Sequence, residues 1–192
     1  LESKNGITVL GAGSPIKPFS VYLYLDKKVT ELKSAIRPKV DEAYFSLPES
    51  VTFPTSEDMN SHGFFYPPHN PEYDQEELNQ LPPLLVLSHG GPTGATSTTL
   101  DLSIQFWTSR GFGILDVNYR GSTGYGTIYR KRLNGKWGIV DIDDCVNGAL
   151  YLAKRGDIDK EKMSIRGGSA GGYTTLAALT FKNVFSAGAS YY

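Results

Sequence analysis

The chain has 192 residues, room for one ordinary domain or for pieces of two. Its 19 Lys and Arg stand against 20 Asp and Glu, and a net charge of −1 offers no electrostatic footprint for nucleic acid or an anionic membrane surface. With 40% hydrophobic and 20% charged residues it can build a real core, which argues against disorder. The longest apolar runs, about four to six residues, are too short to span a bilayer. The lone cysteine, Cys145, can form no internal disulfide and supplies no metal cluster, so neither a metal nor a cofactor is expected. With no Asn-x-Ser/Thr acceptor either, a reducing, cytoplasmic setting is the expectation. The chain opens on Leu1-Glu2-Ser3 without an initiator Met or a signal segment, and stops at Tyr191-Tyr192 straight after an apolar run, so both ends read as cuts.

Residues 1–40 read as all-β. Ile7-Thr8-Val9-Leu10 is a strand, Gly11 to Pro15 a turn cluster, and Val21-Tyr22-Leu23-Tyr24-Leu25 an aromatic, β-branched strand. Asp26-Lys27-Lys28 turns the chain into Val29 to Leu32. Strands this few need a partner to bury their faces. Gly11-Ala12-Gly13 is no dinucleotide-binding turn, because Pro15 and Pro18 follow where a helix should start.

From about Leu47 the pattern changes. Val51-Thr52-Phe53 and Gly63 to Tyr66 read as an antiparallel pair, and Pro67 to Pro83 as a long surface loop. Leu84-Leu85-Val86-Leu87 is a continuous apolar run, expected of a parallel strand covered on both faces. Leu100, Ile104 and Trp107 predict a helix over 99–110 that stops at Gly111, and Gly113 to Val117 is the next buried strand. A helix is expected over 141–155, with Asp141 as N-cap, Asp144 in its first turn, Gly156 at its end, and Ile142, Val146, Leu150 and Ala153 as its apolar stripe. Met163-Ser164-Ile165, a helix over 170–182 and a strand over 185–190 complete the chain. Strand and helix alternate from residue 84 onward, the signature of a parallel sheet with right-handed crossovers.

The sharpest chemical feature is Gly167-Gly168-Ser169-Ala170-Gly171, a G-x-S-x-G sequence between a predicted strand and a predicted helix. A serine on so sharp a turn needs small neighbours, and it gains an exposed Oγ at a helix N-terminus, where amides and dipole favour developing negative charge. A glycine-rich turn with an incidental serine is the bland alternative, and the strand–turn–helix setting weighs against it. The second feature, His89-Gly90-Gly91-Pro92, ends the 84–87 strand. In this architecture one oxyanion donor comes from that loop and one from the residue after the nucleophile, here the amides of Gly91 and Ala170. His89 reads as structural or substrate-facing more than as a general base. Cys145, beside Asp143 and Asp144, reads as a packed cysteine, and Asp141, Asp143 and Asp144 as first-turn acids rather than a carboxylate pair or a metal site.

These motifs, with Asn118 to Gly126 (NYRGSTGYG), Trp137-Gly138 and Asp141 to Asp144, carry a resemblance to the prolyl oligopeptidase family of serine peptidases, most of all to its acylaminoacyl-peptidase and dipeptidyl-aminopeptidase branch. The resemblance runs through residues 84–192. It implies a β-propeller ahead of an α/β-hydrolase domain, with 1–40 as the last propeller strands and 41–192 as the N-terminal part of the hydrolase. It also implies a short peptide substrate, attacked by Ser169, while the charge balance and short apolar runs point to no nucleic-acid or membrane partner. The chain departs from the family in one respect: an α/β-hydrolase triad runs Ser, then Asp or Glu, then His. Only 23 residues follow Ser169, and His62, His69 and His89 all precede it. The 192 residues alone are therefore expected to be nearly inert. Two other readings remain: an esterase or lipase-like hydrolase of the same fold, which the β-rich start disfavours, and a truncated, non-catalytic relative, disfavoured by the apolar edge it would expose.

Overall fold

The computed structural model describes residues 1–73 and 80–192. The first forty residues form the expected antiparallel sheet, with strands β1 (Glu2–Lys4), β2 (Ile7–Ser14), β3 (Lys17–Leu25) and β4 (Lys28–Ser34) in chain order. Its tight turns follow from residues that tolerate positive φ. Asn5 (φ 52°) and Gly6 (φ 77°) join β1 to β2, and Asp26 (φ 49°) and Lys27 (φ 61°) join β3 to β4, the left-handed pair whose twist suits a hairpin. Two details differ from expectation. β1 is an additional strand, and β2 runs on through Gly11 to Ser14, so the turn falls at Pro15-Ile16. Phe19, Val29 and Leu32 remain more than half exposed, so this sheet's apolar side chains lack cover.

The second sheet has six strands, β5 (Glu49–Thr55), β6 (Met59–Tyr66), β7 (Leu84–Ser88), β8 (Gly113–Asn118), β9 (Met163–Gly168) and β10 (Ala187–Tyr191), in the order β10-β9-β7-β8-β6-β5. β5 and β6 pair antiparallel, with Val51 opposite Gly63, and β6 joins β8 antiparallel. β8, β7, β9 and β10 are mutually parallel. Among the described residues four α-helices accompany them: α1 (Leu102–Thr108), α2 (Gly126–Lys131), α3 (Val140–Arg155) and α4 (Ala170–Phe181). The α/β expectation holds. Leu84, Val86, Leu115, Val117 and Ile165 face α3 and α4 in one core, while Leu85, Ile114 and Tyr66 meet Ile104 and Trp107 of α1 on the opposite face. Each fully buried aliphatic side chain here contributes about 1.5–3 kcal/mol. Between Pro67 and Pro83 the described residues carry neither helix nor strand, and 74–79 lie outside the described residues. Among the described residues no helix is long and apolar enough to cross a membrane.

Several expectations are corrected. α1 begins at Leu102, because the Asp101 carboxylate accepts the Ser103 amide at 2.7 Å and caps the helix there; Leu100 lies ahead of it. Asp141 is not an N-cap. α3 starts one residue earlier, and Asp141, inside its first turn and fully buried, accepts from the Gly138 amide (2.6 Å) and the Thr174 hydroxyl (2.6 Å), tying α3 to α4. Leu150 is 43% exposed; the buried stripe of α3 is Ile142, Cys145, Val146, Ala149 and Leu152, with Ala153 partly buried beside it. Gly156 ends α3 as expected, in the left-handed conformation, its amide returning to Leu152 and Ala153. α2 has no counterpart in the sequence reading, because only Tyr129 of its six residues is buried and no apolar period marks it.

Asp144, expected merely to favour the helix dipole, is fully buried against Arg120, itself 0% exposed. Arg120 Nη2 lies 2.9 Å from Asp144 Oδ1, and the Arg120 amide donates to Oδ2 at 2.7 Å. Thr55 donates to the same carboxylate, and the guanidinium also reaches the Ser56 carbonyl and hydroxyl. Every face of the pair is thus hydrogen-bonded, which lets two charges sit in a core. Asp144→Ala strands the guanidinium and is expected to cost about 3–5 kcal/mol. Replacing both partners with Leu and Met is expected to cost less than Asp144→Ala alone. Chemical-denaturation midpoints decide the matter, and an Asp144→Ala midpoint equal to wild type would overturn it.

Candidate active site

Strands β7 and β9 are neighbours, yet the helices that follow them lie on opposite faces of the sheet. Such a switch point opens a crevice outside the carboxyl ends of the two strands, where ligands bind in open α/β sheets. Both sequence motifs fall there: His89 to Pro92 follows β7, and Ser169 follows β9.

Ser169 occupies φ 53°, ψ −122°, a conformation that ordinary L-residues avoid, and is exposed to solvent. Its amide donates to the Tyr191 carbonyl (3.0 Å), while its carbonyl receives the Gly172 and Tyr173 amides that open α4. The flanking glycines differ in what they permit. A Cβ on Gly171 would lie 2.0 Å from the Ser88 carbonyl oxygen, and one on Gly167 would lie 2.2 Å from the Gly171 carbonyl oxygen. Gly168 is different: the nearest atom to a Cβ there is 3.9 Å away. The turn therefore requires bare backbone at 167 and 171 and leaves space at 168. Ala170, buried, is the first residue of α4, where an amide has no intrahelical acceptor.

The β7–α1 loop runs directly past the serine. A Cβ on Gly90 would come within 3.3 Å of Ser169 Cβ and 3.9 Å of Oγ. Gly91 is exposed, with φ 117°. His89 anchors the start of the loop, stacked on Tyr119 at 4.3 Å between ring centroids. Its Nε2 pairs with Ser122 Oγ (2.7 Å), its Nδ1 lies 2.8 Å from the Gly90 carbonyl, and the Tyr119 hydroxyl donates to the His89 carbonyl. Burial pushes the His89 imidazole pKa below its ordinary value, despite an opposing backbone contact with Gly90. Both ring nitrogens are engaged away from Ser169, in keeping with a structural histidine. His62 stacks on Tyr125 and contacts Thr52, and His69 bonds the Ala43 carbonyl. Among the described residues no histidine is hydrogen-bonded to Ser169, and no three His, Cys, Asp or Glu side chains are grouped as metal ligands. Cys145 is fully buried and its thiol is pushed well up by desolvation, with Asp141 and Asp144 adding to the effect. Asp143 pairs with Lys182 at 2.7 Å.

The geometry explains what the comparisons with known proteins show. The family model described as the prolyl oligopeptidase family matches residues 98–192. The structure of a Mycobacterium tuberculosis puromycin-hydrolyzing peptidase superposes with a TM-score of 0.94 at 42% identity, over 98% of this chain and 30% of that one. Residues 98–192 belong to the prolyl oligopeptidase family. Dipeptidyl aminopeptidase BIII of Pseudoxanthomonas mexicana is 34% identical over 131 residues, which are 68% of this chain and 17% of that protein. Acylamino-acid-releasing enzyme 1 of Oryza sativa subsp. japonica is 38% identical over 93 residues, 48% of this chain and 12% of that protein. The chain thus spans less than a third of each of these family members.

Sequence reasoning missed the polar residues that hold the site from below. Asp116 lies in the apolar run Gly113 to Val117, 7% exposed, and accepts from the Thr96 hydroxyl. Its signal was one acid in an otherwise apolar strand. Burial lifts its carboxyl to about 7, with the Asp101 charge adding to the lift and the Thr96 hydrogen bond opposing it.

Two outcomes are expected. Gly171→Ala and Gly167→Ala drive a methyl into backbone and should prevent native folding, whereas Gly168→Ala should keep Tm within a few degrees of wild type. Equal Tm values for all three, by circular dichroism, would contradict the steric reading. For Asp116, the folded state holds a proton between about pH 4 and pH 7 that the unfolded state has released, so its contribution to stability declines as pH rises across that window and is level above it. The amplitude is on the order of 4 kcal/mol. Asp116→Asn should remove that slope in urea titrations taken at each pH, and an unchanged slope would exclude Asp116 as its source.

Proposed function

We propose that these residues form the nucleophile half of a serine peptidase that hydrolyses short peptides, in the manner of the acylaminoacyl and dipeptidyl peptidases. One observation carries the reading: Ser169 is held in a strained, exposed conformation at the sheet's switch point, with the His89–Gly91 loop pressed against it. Ser169 Oγ attacks the scissile carbonyl carbon, and the carbonyl oxygen becomes an oxyanion facing the amides of Gly91 and Ala170. A histidine takes the serine proton and passes it to the leaving amine, giving an acyl-enzyme; water then attacks the ester and frees Ser169. That histidine and its carboxylate partner are assigned to sequence beyond residue 192, following the family order of Ser, Asp, His. Residues 1–40 are assigned to the end of a propeller, a role their uncovered apolar side chains support.

The relative described as puromycin-hydrolyzing adds a substrate worth choosing, because puromycin joins an amino acid to its nucleoside through an amide. In the complete enzyme a fluorophosphonate should label Ser169, with peptide anilides and puromycin hydrolysed and Ser169→Ala inert in every assay. The 192-residue chain should scarcely label, since loss of the triad histidine costs about 10⁶ in turnover. Rapid stoichiometric labelling of that chain would reveal a base among these residues, and a complete enzyme unlabelled at Ser169 would end the peptidase reading.

A further inference from the structure

The loop from His89 to Asp101 carries Gly90 and Gly91 past Ser169 and then crosses to α1 without a regular element. Its first part is one closed turn. A Cβ on Gly91 would lie 2.8 Å from the Gly94 nitrogen, and one on Gly94 would lie 2.8 Å from the Gly90 carbonyl oxygen. Three glycines in five residues give that turn little stiffness of its own. Its hold on the sheet comes just beyond, at Thr96. The Thr96 amide donates to Asn118 Oδ1 (2.8 Å), its carbonyl accepts from Asn118 Nδ2 (3.3 Å), and its hydroxyl donates to Asp116 Oδ2. Asp116 and Asn118 stand two residues apart on β8 and so point to the same face. Asn118 is 1% exposed, and its amide imitates a neighbouring strand. Nearer the turn, the Thr123 amide donates to the Gly94 carbonyl at 2.9 Å.

An aliphatic residue at 116 would complete an unbroken apolar strand. A carboxyl group placed there is costly to bury, and the hydrolysis proposed above gives it no chemical step. What it does contact is Thr96.

We infer that Asp116 and Thr96 are positioning residues for the Gly91 amide: the carboxyl group fixes Thr96, and Thr96 fixes the turn that aims the amide at the oxyanion. The inference rests on the reading of Ser169 and Gly91 given above. Asn118 holds the Thr96 backbone, so losing the side-chain link loosens the turn without releasing the loop. An oxyanion donor acts in the transition state and contributes little to binding of the ground state, so loosening it lowers kcat and leaves KM. A donor misplaced by about 1 Å forfeits on the order of 10²-fold in rate.

The test uses the complete enzyme with Thr96→Val, Thr96→Ser and Asp116→Asn, active sites being counted by fluorophosphonate titration. Thr96→Val keeps shape and removes the hydroxyl, and its kcat per titrated site should fall about 10–100-fold with KM within about two-fold of wild type. Thr96→Ser restores the hydroxyl and should restore kcat. Asp116→Asn keeps size and one acceptor, and should fall in between. A merely structural role would lower Tm and the titrated fraction but leave kcat per titrated site unchanged, and that result would overturn the inference. So would a rise in KM at constant kcat. Should Thr96→Val not fold, Asp116→Asn carries the same comparison, and wild-type kcat per site in that variant is equally fatal. A wild-type enzyme unlabelled at Ser169 removes the underlying reading and this inference together, whereas normal wild-type turnover with indifferent variants removes the inference alone.

Discussion

At Gly171 the first turn of α4 passes the end of β7 so closely that only hydrogen fits between them, a Cβ there falling 2.0 Å from the Ser88 carbonyl oxygen. The rest of the site depends on that approach. It sets β9 beside β7 with Gly167 opposite Ser88, so α4 begins level with the loop that leaves β7. It forces the chain to reverse within one residue, and Ser169 takes the strained backbone that results. The strain is borne by the registered strands on either side, since the Ser169 amide still finds the Tyr191 carbonyl and its carbonyl still starts the helix.

Above this contact the molecule changes character. The middle of the sheet is apolar on both faces, whereas its carboxyl edge is a mesh of polar side chains that organise loops. Arg120 and Asp144 pin the chain after β8, Tyr119 and Ser122 of that same segment hold His89, and Thr96 is gripped by Asp116 and Asn118. The β8 end therefore acts as the bracket on which the loop after β7 is mounted. Such networks stabilise little in net terms because desolvation offsets them, but fully satisfied they fix one arrangement where apolar contacts would permit several.

Much of this was legible in the residues. Apolar runs gave the central strands, the strand–turn–helix setting drew attention to Ser169 and Ala170, and the His89 to Pro92 motif to Gly91; the structure sets these at the carboxyl ends of the neighbouring strands β9 and β7. What escaped shares a physical cause. Helix and strand signals come from local period, whereas Asp144, Asp141 and Asp116 owe their roles to partners far along the chain: Arg120, Thr174 and Thr96. A local reading could assign the two helix acids only to the helix N-terminus, Asp141 as its cap and Asp144 as a partner of its dipole. Leu150 failed the other way, because periodicity identifies a stripe but not which edge of it the sheet covers, and here the covered edge carries Cys145, Ala149 and Leu152. α2 was silent because a short helix with one buried side chain has no period to read.

The strand order also bears on how the chain assembles as it is made. The first sheet is a run of adjacent hairpins, each completed by the next few residues to emerge, so it closes early and locally. The second cannot. Leu84 and Val86 of β7 are synthesised long before Met163 and Ile165 of β9 arrive to flank them, and β6 must wait for β8. Through that interval β7, the apolar run at the centre of the sheet, keeps one edge open even after β8 has closed the other, the condition under which nascent chains associate with one another. The stretch of synthesis between β7 and β9 is thus where this strand order leaves the chain most open to association, whatever the stability of the finished fold.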